Sequence, residues 1–224
     1  MTDSLPEPRR RVFLVDDHPL VREGLRKVID QEPDLVVCGD AEEAGRAFAD
    51  ISRLKPDVAI VDLSLRGDSG LDLIKRLGAE EAPPRILVLS MHDEATYAER
   101  ALRAGAQSYV MKRESSGKVL EAIRQVLAGR TYVSESIAAR FAEKLVGLKR
   151  SPAGSPVECL SDRELEVFRR IGQGQMNRLI AEDLHLSLKT VQTHCAHIKE
   201  KLGYRNATEL IREATRWSDA EPRL

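Results

Sequence analysis

Between residues 11 and 129, short apolar runs alternate with segments of helical periodicity. The apolar runs lie at 11–15, 34–39, 57–62, 85–90 and 107–111. The helical segments lie at about 19–31, 41–54, 69–79, 94–104 and 115–128. This alternation is typical of a parallel sheet that is covered by helices on both faces. Because crossovers between parallel strands are right-handed, few topologies remain, and a doubly wound, flavodoxin-like α/β order is among them.

Polar side chains follow the ends of four predicted strands. They are Asp16 and Asp17 after the first strand, Asp62 after the third, Ser90 after the fourth and Lys112 after the fifth. Taken singly, the Asp pair and Ser90 suit helix caps and Lys112 suits a solvated surface. The carboxyl ends of parallel strands meet at one edge of a sheet, where ligands bind. Their shared position therefore favours a single site.

These side chains have complementary chemistry. Three carboxylates in one crevice repel each other unless a cation lies among them, and Mg²⁺ favours carboxylate, water and phosphate oxygens. An aspartate can act as a nucleophile and form an acyl phosphate. The hydroxyl of Ser90 and the ammonium of Lys112 can each bind a phosphoryl oxygen. The sequence therefore predicts an Mg²⁺-dependent phosphoryl site.

Residues 11–129 resemble the receiver domain of two-component response regulators. The resemblance lies in Val15-Asp-Asp-His18, Val61-Asp-Leu63, Ser90 and Tyr109-Val-Met-Lys112. It implies that a sensor histidine kinase phosphorylates Asp62. It also implies a set of supporting residues: Asp17, Asp62 and the backbone carbonyl of Ser64 as Mg²⁺ ligands, Asp16 through water, Ser90 and Lys112 as phosphoryl contacts, and Tyr109 as a switch aromatic. The alternative for Tyr109 is an amphipathic residue at a sheet edge.

Two positions depart from the receiver pattern. Arg66 stands where receivers commonly have proline, four residues after the acceptor. Met91 stands after Ser90, where many receivers have a small residue. Neither change removes a required chemical group. Both are expected to affect the rates of phosphorylation and dephosphorylation.

Composition limits the class of protein. A chain of 224 residues has room for one large domain or two small ones, and its net charge of −1 gives it no global attraction for nucleic acid. No apolar run approaches the ~20 residues that span a bilayer. The three cysteines, Cys38, Cys159 and Cys195, lack metal-ligand spacing and fit a reducing cytoplasm. We therefore expect a cytoplasmic protein without a membrane partner, and a disordered lead-in over 1–10.

The segment 130–157 is predicted to connect two domains. A further helix is expected at 131–147, with Ser134 as its N-cap and Ile137, Phe141 and Leu145 at helical spacing. The residues at 149–156 are rich in proline, glycine and serine. That composition is typical of a flexible linker.

A helix-turn-helix pattern follows in residues 158–217. Ser161 and Glu164 have capping-box spacing before a helix at about 162–173. A short helix at about 177–184 is joined by a brief turn to a longer one at 188–202. A last helix is expected at 207–217, and 218–224 is expected to be a tail.

The helix at 188–202 has an apolar face and a polar face. Val191, Cys195, Ile198 and Leu202 are spaced to face the core. Between 187 and 205, Lys189, Lys199, Lys201 and Arg205 oppose the single anion Glu200. Such cations suit phosphate contacts, although a solvated helix face has the same composition.

Residues 158–217 resemble the LuxR-type DNA-binding domain of NarL/FixJ response regulators. The match includes Leu160-Ser-Asp-Arg-Glu164, Gly174, Asn177, Lys189-Thr-Val191 and Lys201-Leu202. It implies base contacts from Gln192, Thr193 and Ala196, and backbone contacts from Lys189, Thr190 and Lys199. Met176 and Leu179 depart from the usual serine and acidic residue, so contacts near the turn are expected to differ.

The combined expectation is a phosphorylation-controlled transcription factor that binds double-stranded promoter DNA as a homodimer. RNA polymerase is a further candidate partner. Two alternatives stay open. One is a DNA-binding regulator whose receiver acts through phosphorylation-independent protein contact. The other is an aspartyl-phosphate hydrolase, which is disfavoured because Ser64 stands where such enzymes place a second aspartate.

Overall fold

Five parallel strands form the sheet of the N-terminal half, in the order β2-β1-β3-β4-β5. The strands are β1 (Arg10–Val15), β2 (Leu35–Ala41), β3 (Val58–Val61), β4 (Arg85–Ser90) and β5 (Ser108–Met111). The computed structural model describes residues 8–65, 69–146 and 156–220. The flavodoxin-like prediction is confirmed. The carboxyl ends of β1, β3, β4 and β5 therefore lie along one edge.

Five helices connect and follow these strands. They are α1 (Pro19–Asp30), α2 (Ala44–Leu54), α3 (Gly70–Gly78), α4 (Glu94–Ala104) and α5 (Ser116–Leu127). Apolar side chains from both sheet and helices form one core, in which Leu14, Ile60, Leu87, Ile29 and Ile123 are almost fully buried. Burying each such side chain contributes about 1.5–3 kcal/mol, and this packing fixes the strand ends from which the polar residues emerge.

The C-terminal part is helical. It contains α6 (Glu135–Leu145), a 3-10 helix (Pro156–Cys159), α7 (Asp162–Gly172), α8 (Asn177–Asp183), α9 (Leu188–Leu202) and α10 (Ala207–Ala220). The capping box of Ser161 and Glu164 is confirmed, since each side chain accepts the backbone N–H of the other residue. The predicted end of the last helix at 217 is wrong by three residues, because Ser218 is buried and α10 continues to Ala220.

The chain separates into two compact units. One comprises the described residues up to Met91 together with Ala101–Ser134, and the other comprises His92–Arg100 with the described residues from Glu135 onward. Most of the predicted lead-in and of the flexible linker lies outside the described residues, as do the last four residues of the predicted tail. Across the part of the chain that is described, every helix is too short or too polar to cross a membrane.

Candidate functional site

Asp16 and Asp62 emerge side by side from the ends of β1 and β3. The two strands pair in parallel up to Val15 and Val61. The ladder continues one residue further, because the amide of Asp62 donates to the carbonyl of Val15 at 2.8 Å. Both carboxylates are buried, with 2% of each residue exposed. The sheet therefore holds two carboxylates at one edge with little access to water.

Lys112 lies between these two carboxylates. Its Nζ is 2.6 Å from Asp16 Oδ2 and 2.7 Å from Asp62 Oδ2. The backbone of Lys112 is fixed as well, since its amide donates to the carbonyl of Ser90 at 2.8 Å. Only 7% of the lysine side chain is exposed. The alternative of a solvated surface lysine is therefore wrong.

The ionisation of Asp62 reflects this environment. Burial raises the pKa of its carboxyl group from 3.8 to about 6, and the charge of Asp16 adds to that increase, although Lys112 opposes it. Burial alone would lower the pKa of Lys112, but the two carboxylates outweigh that effect and raise it. The buried site thus contains one positive charge and two carboxylates. This charge balance favours the binding of a second cation there.

Asp17 and His18 complete the acidic cluster. His18 Nδ1 lies 2.8 Å from Asp17 Oδ1 and 3.3 Å from Asp16 Oδ1. Ligand atoms of Asp16, Asp17, His18 and Asp62 all lie within 4.8 Å of one another. The carboxylate oxygens are the donors that Mg²⁺ prefers. No separate role was predicted for His18, although it belongs to the receiver-like motif Val15-Asp-Asp-His18.

In the loop after β3, the backbone of Gly70 lies close to the backbone of Asp62 and Leu63. Ser64 N donates to Asp62 Oδ1 at 3.2 Å, and Ser64 and Ser69 form an isolated bridge. Gly70 N donates to Leu63 O at 3.1 Å, and a Cβ on Gly70 would meet the carbonyl oxygen of Asp62 at 2.2 Å. Only glycine fits there. The predicted departure at Arg66 lies outside the described residues.

Ser90 and Tyr109 are both buried in this unit. Ser90 is fully buried and Tyr109 is 2% exposed, while Met91 is half-buried. The alternative of Ser90 as a helix N-cap is wrong, because α4 begins only at Glu94. The Asp pair does not occupy a cap position either, since the N-cap of α1 is His18. However, Asp16 Oδ1 accepts the backbone N–H of His18 at 2.9 Å.

In the second unit, α9 presents the predicted polar face to solvent. Lys189, Gln192, Thr193 and Ala196 are exposed, and Thr190 and Lys199 are partly exposed. Val191 and Ile198 are fully buried on the other face, whereas Cys195 and Leu202 are only partly buried. Ser187 caps the helix by accepting the amide of Thr190 at 3.0 Å. The predicted DNA contacts therefore share one accessible face.

Lys201 is also exposed, with 40% of its side chain accessible, but it forms an ion pair with a buried residue. Its Nζ lies 2.6 Å from Glu164 Oε2, and the Glu164 residue is 4% exposed. The sequence analysis placed Lys201 among the cations near α9, and it missed the ion pair because Glu164 lies 37 positions away in the chain.

The two residues near the turn that depart from the LuxR-type pattern are both exposed. Met176 is 70% exposed and Leu179 is 45% exposed.

Comparison with known proteins identifies both parts of the chain. Residues 12–124 match the family "Response regulator receiver domain", and residues 158–214 match "Bacterial regulatory proteins, luxR family". The chain is a two-component response regulator with a LuxR-type DNA-binding domain. It is a transcription factor and not a catalytic enzyme.

Individual relatives support this assignment. The response regulator is 35% identical over 208 residues to the oxygen regulatory protein NreC of Staphylococcus haemolyticus, an alignment covering 91% of this chain and 96% of NreC. It is 25% identical to RcsB of Salmonella enterica serovar Typhimurium bound to promoter rprA in the presence of phosphomimetic BeF3⁻, with a TM-score of 0.67 and coverage of 93% and 99%. A structure of two RcsB dimers bound to two parallel DNAs is 27% identical, with a TM-score of 0.56 and coverage of 93% and 98%.

Proposed function

We propose that this response regulator is phosphorylated on Asp62 by a sensor histidine kinase and that phosphorylation controls its binding to promoter DNA. The observation that carries the proposal is the buried contact of 2.7 Å between Asp62 Oδ2 and Lys112 Nζ within a receiver fold. It supplies a nucleophile and, beside it, a cation that can bind the incoming phosphoryl group.

The transfer forms one bond and breaks another. A carboxylate oxygen of Asp62 bonds to the phosphorus atom of a phosphohistidine while the P–N bond breaks, and the leaving imidazole takes up a proton from solvent. The product on Asp62 is an acyl phosphate. The ammonium of Lys112 would exchange the carboxylate oxygen for a phosphoryl oxygen, and the hydroxyl of Ser90 would donate to another.

Mg²⁺ is the cofactor that suits this site. Asp17, Asp62 and the backbone carbonyl of Ser64 would hold it directly, and Asp16 would do so through water. When bound, it offsets negative charge on the transferring group. The clustering of three aspartates within 4.8 Å supports this assignment, as does the raised pKa of Asp62, which a nearby cation would lower.

The output follows from the buried aromatic and the exposed helix. When Ser90 moves to bind the phosphoryl group, Tyr109 would turn inward and so change the surface formed by α4, β5 and α5. The DNA-binding helix α9 would then enter the major groove, with Gln192, Thr193 and Ala196 near the bases. Lys189, Thr190 and Lys199 would contact the backbone. The RcsB structures on DNA support binding to promoter DNA as a dimer.

The test is a comparison of the full chain with its Asp62→Asn variant. Both are incubated with radiolabelled acetyl phosphate and Mg²⁺, and incorporation is measured after gel separation. A site selected by the wild type from random double-stranded DNA then serves for affinity measurements. We expect labelling and tighter DNA binding for the wild type alone. Equal labelling of both proteins would refute the acceptor assignment, and DNA affinity unaffected by labelling would favour the phosphorylation-independent alternative.

A further inference from the structure

Arg22 connects the acidic loop after β1 to the end of β2. Its Nη1 donates to the backbone carbonyl of Asp16 at 2.5 Å. Its Nε donates to Asp40 Oδ2 at 3.1 Å, and its Nη2 lies 3.9 Å from Glu42 Oε2. The side chain is 16% exposed. A single guanidinium group therefore holds α1, the acidic loop and the end of β2 together.

The contact with Asp16 acts on the backbone that carries the acidic pair. The amide of Asp16 donates to Ala41 O at 3.1 Å, so its peptide groups are held on both sides. A guanidinium donates in a rigid planar fork, and charge-assisted hydrogen bonds are stronger than neutral ones. The ion pair between Asp40 and Arg22 Nε fixes the position of this guanidinium group. Arg22 therefore restrains the orientation of the loop, and its described partners are the carbonyl of Asp16 and the carboxylates of Asp40 and Glu42.

Arg26 provides a natural comparison on the same helix. Its Nη2 lies 2.5 Å from Asp40 Oδ1, so it shares the carboxylate that holds Arg22. None of its described contacts reaches the acidic loop. Loss of either arginine removes one ion pair with Asp40, but only loss of Arg22 frees the carbonyl of Asp16.

We infer that Arg22 is a positioning residue for the metal site: by holding the carbonyl of Asp16, it sets the acidic pair in the geometry that binds a divalent cation. This inference rests on the proposed Mg²⁺ site. Electrostatics alone gives the opposite expectation, because a nearby positive charge repels a cation and its removal would tighten binding. The sign of the change in affinity therefore separates the two effects.

The experiment measures Mg²⁺ binding by isothermal titration calorimetry on the full-length wild type and on Arg22→Gln, Arg22→Lys and Arg26→Gln. Residues that orient metal ligands typically change metal affinity by about tenfold or more when replaced. We expect Arg22→Gln to raise the dissociation constant by about tenfold. Arg22→Lys keeps the charge but loses the fork, so it should also bind more weakly. Arg26→Gln should bind like the wild type.

A second measurement needs no metal. Amide hydrogen exchange in the peptide around Asp17 and His18 should accelerate in Arg22→Gln and stay unchanged in Arg26→Gln, because His18 N–H depends on Asp16 Oδ1 for its hydrogen bond. Equal or tighter Mg²⁺ binding by folded Arg22→Gln overturns the inference. If that variant does not fold, Arg22→Lys decides it in the same way. Absence of Mg²⁺ binding by the wild type overturns the proposed metal site itself, and the inference with it.

Discussion

Lys112 Nζ lies 2.7 Å from Asp62 Oδ2, and both side chains are almost completely buried. The same ammonium lies 2.6 Å from Asp16 Oδ2, so it neutralises part of a buried pair of carboxylates. Two carboxylates in such a site raise each other's pKa and destabilise the folded state unless a cation separates them. Lys112 therefore stabilises the unphosphorylated receiver and also stands where a phosphoryl group would need a cation.

Replacing Lys112 with methionine is expected to destabilise the metal-free protein by about 3 kcal/mol at neutral pH, because it leaves buried charges without their partner. Urea unfolding followed by circular dichroism in EDTA measures this loss. Lys118→Met is the matched control, since Lys118 pairs with Glu114 on an exposed surface and such pairs contribute less than about 1 kcal/mol. Mg²⁺ should stabilise the Lys112 variant more than the wild type. Equal stability of the two variants would contradict this account of Lys112.

The raised pKa of Asp62 predicts a stability that depends on pH. The folded protein keeps the Asp62 proton up to about pH 6, whereas the unfolded carboxyl group releases it near its ordinary value of 3.8. Between pH 3.8 and about 6 the folded state binds more protons than the unfolded state. The stability that the protonated Asp62 contributes is therefore fully present below pH 3.8 and is lost as the pH rises through 6. Asp62→Asn should remove that loss and stabilise the metal-free protein at pH 7 by up to about 3 kcal/mol.

Denaturant unfolding in EDTA at several pH values checks this prediction. The two proteins should have similar stability near pH 4 and should diverge as the pH rises through 6, with the variant more stable. A wild type that gains stability relative to Asp62→Asn over the same range would show that the carboxylate is favoured in the folded protein and that its pKa is lowered.

Gly70 predicts a steric limit on the loop after β3. An added Cβ would meet backbone atoms of Asp62 and Leu63 at 2.2 and 2.7 Å, and neither can move without shifting Asp62. Gly70→Ala is therefore expected to cost about 2 kcal/mol and to slow labelling by acetyl phosphate. Gly24→Ala, in the middle of α1 with no atom near the added methyl group, should stabilise by up to about 1 kcal/mol. Thermal unfolding and labelling rates distinguish the two, and normal labelling of Gly70→Ala would refute the limit.

Much of this architecture could be predicted from the sequence because the signals are local. Alternating apolar runs and helical segments determine a doubly wound sheet, and a parallel sheet brings Asp16, Asp62 and Lys112 to one edge whatever the details of packing. The start of the C-terminal helical domain was equally accessible, since Ser161 and Glu164 have the spacing of a capping box and Ser161 is the N-cap of α7.

Pairings between distant side chains could not be predicted in the same way. The sequence shows Lys201 as one of four cations between residues 187 and 205, but it does not show that Lys201 contacts the buried Glu164. Nor does it show that Arg22 reaches back to the carbonyl of Asp16 rather than to solvent. These contacts depend on the exact approach of elements, as does the clash that restricts Gly70. Those contacts affect ligand affinity and reaction rate more than they affect the fold.

The ion pairs of Glu166 predict that the C-terminal unit is sensitive to acid. Burial alone would raise the pKa of Glu166, but Arg169 and Arg170 outweigh it and lower the pKa to about 2. Its Oε1 lies 2.8 Å from Arg169 Nη2 and 2.6 Å from Arg170 Nε. This contribution to stability is present above the ordinary value of 4.5 and is lost as pH falls toward 2. Glu166→Gln should cost about 2 kcal/mol at pH 7.

Tryptophan fluorescence provides a selective measurement, because Trp217 is the single tryptophan in the chain and its ring lies 5.7 Å from that of Phe168. Urea unfolding followed at this signal reports on the unit that contains Glu166. Glu182→Gln is the control, since its i,i+4 pair with Arg178 is exposed and contributes less than about 0.5 kcal/mol. Similar midpoints for both variants would exclude a stabilising role for Glu166.

The contrast between Lys189 and Lys201 predicts which cations bind DNA. Both lysines are exposed, but Lys201 is held by Glu164 at 2.6 Å, whereas Lys189 lies at the start of α9. Each phosphate contact contributes about 0.9 to the slope of log affinity against log salt. Lys189→Ala should therefore weaken binding to a selected DNA site and lower that slope by about one. Lys201→Ala should leave the slope unchanged and instead destabilise the C-terminal unit, because the buried carboxylate of Glu164 loses its lysine partner and keeps only the hydrogen bond from Ser161 N and the more distant His197. Fluorescence anisotropy over ~50–200 mM salt measures the slopes, and Trp217 fluorescence measures the stability. A reduced slope for Lys201→Ala would mean that its contact with Glu164 opens when DNA binds.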